Sequence, residues 1–297
     1  MEVSFLKSIN KASKTFDKKI SNAKNIAIVF DENVDGFSSA KIFSILLERK
    51  NKEFEIYIKR REEKIDEKLL KYDFVIFLDI SFKKDELKII KNLKNAIIID
   101  DQKPLTLTLK KFLVLNPYLY KTFTSSSSIC YFLSQHIYST KEIIFYSMLG
   151  TKYDNFSIKS LEKKFLNFFS KEDLKFVNAI QYFIRTSKDK KVLKFLEIEG
   201  ENNLKKRLKS ILKKVEKIVK KKKVKCGLTR IVASYLYEKE KKPITIFSND
   251  KKEITILSKK ISILPNSNWK FFEFFNEGVE ILANKREIEK IIEDVNK

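Results

Sequence analysis

Three short apolar runs, each closed by an aspartate, constrain what this chain can fold into more than any other feature. Ile26 to Phe30 leads into Asp31, Phe74 to Leu78 into Asp79, and Ala96 to Ile99 into Asp100 and Asp101. Runs of this length without alternation read as strands buried on both faces, the habit of a parallel sheet. Helical spacing fills the intervals, as in Ile42, Phe43, Ile45, Leu46 and Leu47, a helix opened by Ser38 and Ser39. Strands are expected over 26–30, 54–58, 74–79, 96–100 and 112–115, which predicts an α/β fold with a parallel sheet and helical crossovers. In such sheets ligands bind beyond the carboxyl ends of the strands, where each of these aspartates falls.

The turn after the first run carries Asp31, Asn33 and Asp35 before Gly36. Alternation along it aims all three into one crevice, although the same spacing also suits an ordinary turn. Further on, Asp154 stands just past a Gly150-Thr151 turn. Several carboxylates converging without Cys or His clusters suit a hard cation, Mg²⁺ or Mn²⁺, rather than zinc. The only histidine, His136, lies within an apolar helix and reads as a packing or surface residue. Nucleophile schemes that need an imidazole base are thereby set aside. Cys130 and Cys226 are isolated and read as small core residues.

On these residues the chain resembles the DHH phosphoesterase superfamily, in its RecJ-like branch, over nearly its whole length. The first motif of that branch, D-x-D-x-D-G, matches Asp31 to Gly36, and the strand-end Asp matches Asp79. The Asp-His-His element falls on Asp100, Asp101 and Gln102, the following N-P on Asn116-Pro117, and G-T-x-x-D on Gly150 to Asp154. The resemblance implies Asp31, Asp35, Asp79, Asp101 and Asp154 as the catalytic set, with Asp35, Asp79, Asp101 and Asp154 as metal ligands. Asn33 replaces a metal-binding Asp, Asp101 replaces the ligand His, and Gln102 replaces the His that contacts the scissile phosphate. The substitutions imply one Mn²⁺ or Mg²⁺ rather than two, or none, whereas two-metal hydrolysis clamps both the attacking and the leaving oxygen.

The organisation expected is a DHH-like domain over 1–160, a helical connector over 161–223 and a smaller α/β DHH-associated C-terminal domain over 224–297. Residues 1–24 show an amphipathic helix with Phe5, Leu6, Ile9, Ala12, Phe16 and Ile20 on one side. The Ser cluster 125–128 reads as an N-cap for a helix over 129–137, and such a helix end also suits a phosphate. Leu204, Leu208, Ile211, Val215 and Ile218 form one apolar seam, and the other faces carry Lys213, Lys214, Lys217 and Lys221. That helix reads both as a connector with a solvated face and as the basic wall of a groove between two domains.

The final part reads as a helix over 228–239, strands over 244–247, 253–257, 261–264 and 279–282, and a closing helix over 285–295. Ser258 and Lys260 match an S-x-R element of the C-terminal domain and are the remaining candidate nucleic-acid contacts. The Gly-rich substrate loop of that domain is missing. Trp269, Phe271, Phe272, Phe274 and Phe275 read as core or as a base-stacking platform.

A net charge of +23 favours a polyanionic partner, nucleic acid first. No apolar run approaches the roughly 18 residues of a membrane-spanning helix, so a cytoplasmic protein without membrane contact is expected. The loss of a metal Asp, both histidines and the Gly-rich loop together implies a scaffold retained for binding. The RecJ-derived subunit of the archaeal and eukaryotic replicative helicase supplies the closest logic. The expected function is a catalytically reduced RecJ-like protein that binds single-stranded DNA and replicative helicase partners, MCM and GINS. The alternative is a Mn²⁺-dependent single-strand exonuclease or short-oligonucleotide phosphodiesterase.

Overall fold

A computed structural model describes residues 3–60, 63–102, 111–154, 171–196, 201–221, 224, 228–240, 244–250, 253–257, 271–275, 278–282 and 291. The chain divides into two compact units, one of residues 1–169 and 187–201, the other of residues 170–186 and 202–297.

The first unit is built on five strands, β1 (Ile26–Asp31), β2 (Phe54–Lys59), β3 (Phe74–Leu78), β4 (Ala96–Ile99) and β5 (Leu113–Leu115). All neighbouring pairs are parallel, in the order β2-β1-β3-β4-β5. Each expected strand is present to within a residue at either end. Both faces are covered, which is why the runs lack alternation. On one face Ala27, Val29, Val75, Phe77 and Ile98 pack with Ile90 of α3 (Leu87–Asn92), Leu93 and Tyr72. On the other, Phe16 of α1 (Val3–Asn22) meets Phe43 of α2 (Val34–Arg49) at 5.2 Å and Phe74 at 5.9 Å between ring centroids. The amphipathic α1 buries Phe5, Ile9, Ala12, Phe16 and Ile20 as its spacing requires. Leu6, expected beside them, is only half-buried.

Three further helices complete the unit: α4 (Ser126–Ser134), α5 (Lys141–Tyr153) and α7 (Asp189–Leu196). The order 2-1-3-4-5 reverses direction between β1 and β3, and such a switch point opens a crevice at the strand ends.

In the second unit, α6 (Lys171–Thr186), α8 (Glu201–Lys221) and α9 (Thr229–Glu240) accompany an antiparallel sheet. Its strands are β6 (Ile244–Phe247), β7 (Glu253–Leu257), β8 (Phe271–Phe275) and β9 (Gly278–Leu282), in the order β6-β7-β9-β8. Val215, Leu228, Ile231 and Val232 form the core where α8 and α9 meet Tyr182 and Ile246. The Phe-rich cluster forms β8, whereas Trp269, the strand expected over 261–264 and nearly all of the closing helix lie outside the described residues. Among the described residues no helix is long and apolar enough to cross a membrane.

Candidate metal centre

Asp31 is the last residue of β1, and the chain turns at once into α2. The helix begins at Val34 rather than at Ser38, because the Asn33 side chain caps it: Asn33 Oδ1 accepts the Gly36 N–H at 2.7 Å. Gly36 packs so tightly on the preceding strand that a Cβ there would lie 2.5 Å from the Asp31 carbonyl oxygen. Asp35 therefore falls in the first helical turn, completely buried. Its carboxylate meets the N-terminus of α4, accepting from Ser126 N at 2.7 Å and Ser127 N at 3.0 Å. Ser125 caps α4, its Oγ accepting from Ser128 N at 3.2 Å. The helix end that suited a phosphate thus receives a carboxylate of the chain itself.

Asp79 follows β3 in a left-handed conformation, φ 60°, with its N–H donating to Ile99 O at 2.8 Å. A non-glycine residue adopts that backbone at a cost of roughly 1–2 kcal/mol. The conformation goes with a carboxylate gripped at both oxygens: Oδ2 accepts from Asn33 Nδ2 at 2.6 Å and Oδ1 from Ser126 Oγ at 3.2 Å. Asp100, beyond β4, accepts the Gln102 N–H at 3.3 Å. Gln102 is drawn away by its own partners, Ser81 Oγ donating to its Oε1 at 2.8 Å and Asn116 Nδ2 to its carbonyl at 2.7 Å.

Gly150 and Thr151 lie in the last turn of α5, not in a separate turn, and Asp154 is the residue that ends the helix. A Cβ at Gly150 would overlap Asp35 Oδ1 and Ser127 Oγ, so only glycine lets α5 approach the site so closely. Thr151 Oγ1 joins the two helices, at 2.9 Å from Ser125 Oγ and 2.6 Å from Ser128 Oγ.

Two carboxylate groups result. Asp35, Asp101 and Asp154 bring one oxygen each within 4.8 Å of one another, and so do Asp79, Asp100 and Asp101. Asp101 belongs to both, and Asp31 joins them through Asn33 Nδ2 at 2.7 Å. Burial, reinforced by the charges of Asp35, Asp101, Asp31 and Asp100, holds the Asp79 carboxyl well above the usual range. Burial and then Asp154, Asp35 and Asp100 do the same to Asp101. Burial pushes Asp100 up to about 7 and also raises Asp35 against the hydrogen bonds it accepts.

Crowded hard oxygens whose charged forms are this unfavourable fit a divalent cation, which would relieve desolvation and repulsion together. Asp31, Asn33 and Asp79 do not fit one. The Asn33 amide nitrogen donates to both carboxylates and its oxygen is turned onto the Gly36 N–H, a group that can only donate, so the amide orientation is fixed.

Of the expected site residues, Asp35, Asp79, Asp101 and Asp154 fall within these groups, with Asp31 beside them. Lys213, Lys214 and Lys217 are exposed on α8 in the second unit, and Lys221 ends that helix. Ser258 and Lys260 lie outside the described residues. Asp100, one of the strand-end aspartates, stands outside the expected ligand set yet falls within the Asp79 group, and no local pattern announces the role of Ser126 and Ser127 in holding Asp35. The helix expected over 129–137 runs instead from Ser126 to Ser134, so His136 lies beyond its end, exposed and in contact with Asn10 Oδ1 at 2.6 Å. Cys130 is fully buried, and burial pushes its thiol up.

No protein-family model matches the chain, and no curated protein matches it. Solved structures do. Thermus thermophilus RecJ in complex with Mn²⁺ is similar with a TM-score of 0.70 and 15% identity over 96% of this chain and 53% of that one. Exonuclease RecJ bound to manganese gives 0.62 and 15% over 96% and 92%. The DHH domain of a member of the S1p family of ribosomal proteins gives 0.65 and 13% over 98% and 90%. This chain therefore has the RecJ-like DHH fold, and it spans about half the length of the Thermus protein.

Proposed function

We propose that this chain is a RecJ-like protein in which catalysis is reduced or lost and the scaffold serves binding. The observation that carries this reading is the Asn33 amide, whose two N–H groups tie Asp31 to Asp79 where the family places a cation between acids. One Mn²⁺ or Mg²⁺ would be held by Asp35, Asp79, Asp101 and Asp154, with Asp100 adjoining. A bound cation would neutralise these carboxylates and would supply a Lewis-acidic contact to a backbone phosphate. The α4 amides fix Asp35, and Asn33 and Ser126 fix Asp79.

The ligand of this reading is single-stranded DNA. Its support is the charge of +23 and the exposed Lys213, Lys214 and Lys217. Lys221, Ser258 and Lys260 complete the proposed contacts. Replicative helicase partners of the MCM and GINS kind follow from the resemblance to the RecJ-derived helicase subunit, and a cytoplasmic setting is proposed from the lack of a long apolar run.

A second reading, a Mn²⁺-dependent single-strand exonuclease or short-oligonucleotide phosphodiesterase, is favoured by one observation. Asp100 adds a carboxylate to the Asp79 group, supplying a charge that Asn33 does not. Calorimetric titration with Mn²⁺ separates the two. One equivalent per chain, lost in Asp79→Asn, supports the binding reading. Two tight equivalents overturn it in favour of the second.

A further inference from the structure

Among the described residues, three of the four exposed large apolar side chains fall within six positions of each other: Tyr118, Leu119 and Phe123 are 42, 41 and 65% exposed. The Tyr118 and Phe123 rings meet edge to face, centroids 5.7 Å apart at 81°. Such contact covers the edge of one ring and one face of the other, and the exposure of both leaves further ring surface to solvent.

The segment is held firmly from beneath. Asn116 Oδ1 accepts the Tyr118 N–H at 2.9 Å, and Pro117 is buried. Tyr120 is turned inward, its ring tilted at 40° against Phe5 with centroids 5.0 Å apart and its hydroxyl donating to Ser8 Oγ at 2.7 Å. Lys121 reverses the chain in a left-handed conformation, φ 50°, its N–H donating to Tyr118 O at 3.2 Å. The exposed rings are therefore presented by a fixed turn, with little ordering left to pay on contact.

Both ends of the turn are tied to the metal centre. Asn116 donates to the carbonyl of Gln102, which follows Asp100 and Asp101. Ser126, three residues after Phe123, holds Asp35 and Asp79, and three residues span at most about 11 Å. Two exposed cations belong to the same stretch of surface: Lys121 lies between the two rings in sequence, and Lys11 is one helical turn from Ser8, the partner of Tyr120.

Resting on the reading of the centre as a single-strand site, we infer that Tyr118 and Phe123 form a nucleobase-stacking platform beside it. Each base of a bound strand offers a π face to a ring, while its phosphates meet the cations and the centre. The occupant is a base, not an apolar protein surface, because an exposed lysine lies between the rings in sequence and the turn is joined at both ends to the centre.

The test compares two strands of equal length, one of thymidines and one abasic, binding to the full chain with Mn²⁺ present. Tyr118→Ala with Phe123→Ala weakens thymidine-strand binding about tenfold or more, since stacking contributes about 1–3 kcal/mol per base. Affinity for the abasic strand stays within a factor of two. Tyr118→Phe with Phe123→Tyr, which keeps the ring faces, retains binding. Equal losses on both strands, or none on either, overturn the platform alone, the second result leaving the patch to a protein partner. If the unmodified chain binds neither strand, the single-strand reading falls and the platform with it.

Discussion

At Asn33 one side chain does three things: it caps α2, fixes Asp31 and fixes Asp79. An aspartate there keeps the cap, since Asp and Asn serve equally well. It also exchanges two N–H donors for a third negative charge between two others. Asn33→Asp is expected to raise calorimetric Mn²⁺ stoichiometry from one to two, and to destabilise the chain when the cation is removed. Unchanged stoichiometry shows that Asn33 does not keep a second cation out.

The same crowding sets a pH dependence. Asp100 titrates near 7 in the fold, against about 4 for an unperturbed Asp, and Asp35, Asp79 and Asp101 are also raised. A carboxyl with a raised folded value binds its proton more tightly folded than unfolded, so stability is lost as pH rises from about 4 through 7. With the cation chelated, the melting temperature is expected to fall between pH 5 and pH 8. Added Mn²⁺ is expected to restore more at pH 8 than at pH 5. Equal Mn²⁺ shifts at the two pH values contradict this account of the site.

At the scale of elements, the strands were the legible part. Double-sided burial leaves uninterrupted apolar runs, and the five strand positions follow from them. Helix starts and ends were less legible where tertiary contacts override local preference. Asn33-Val34-Asp35-Gly36 reads as a turn, yet the Asn33 cap and close packing on Asp31 carry helix into it. Gly150 likewise reads as a break, but it is the point where α5 meets Asp35 and Ser127. That approach depends on a partner distant in sequence, so no local pattern announces it. Gly150→Ala gains about 1 kcal/mol of helix propensity. It nevertheless forces α5 away from the site, an overpacking cost of roughly 1–3 kcal/mol. The variant is expected to be no more stable than the unmodified chain and to bind Mn²⁺ more weakly. A clear gain in melting temperature with unchanged Mn²⁺ affinity shows that the site yields at no cost.

For the whole molecule, charge is the dominant property legible without coordinates. The aspartates at strand ends were also found from the sequence, because a parallel sheet places its ligand site there. What stayed hidden was the hydrogen bonding that decides what those aspartates do: Asn33 between Asp31 and Asp79, and α4 amides on Asp35. The exposed lysines of α8 predict a salt-sensitive grip on single strands, with log K falling by about 0.7 per phosphate neutralised for each unit of log salt. Replacing Lys213, Lys214 and Lys217 with Glu is expected to weaken binding to all sequences alike and to flatten that slope. A slope that stays the same places the contacts elsewhere.

The acids at the switch point are proposed to bind a single strand without efficient hydrolysis. The most direct measurement follows cleavage of an end-labelled single strand by the unmodified chain in Mn²⁺, beside Asp79→Asn. Asparagine keeps the size of Asp79 and tolerates its left-handed backbone. The prediction is that the two proteins give the same negligible rate. Robust, Mn²⁺-dependent cleavage by the unmodified chain that disappears in Asp79→Asn contradicts the claim and makes this centre an active site.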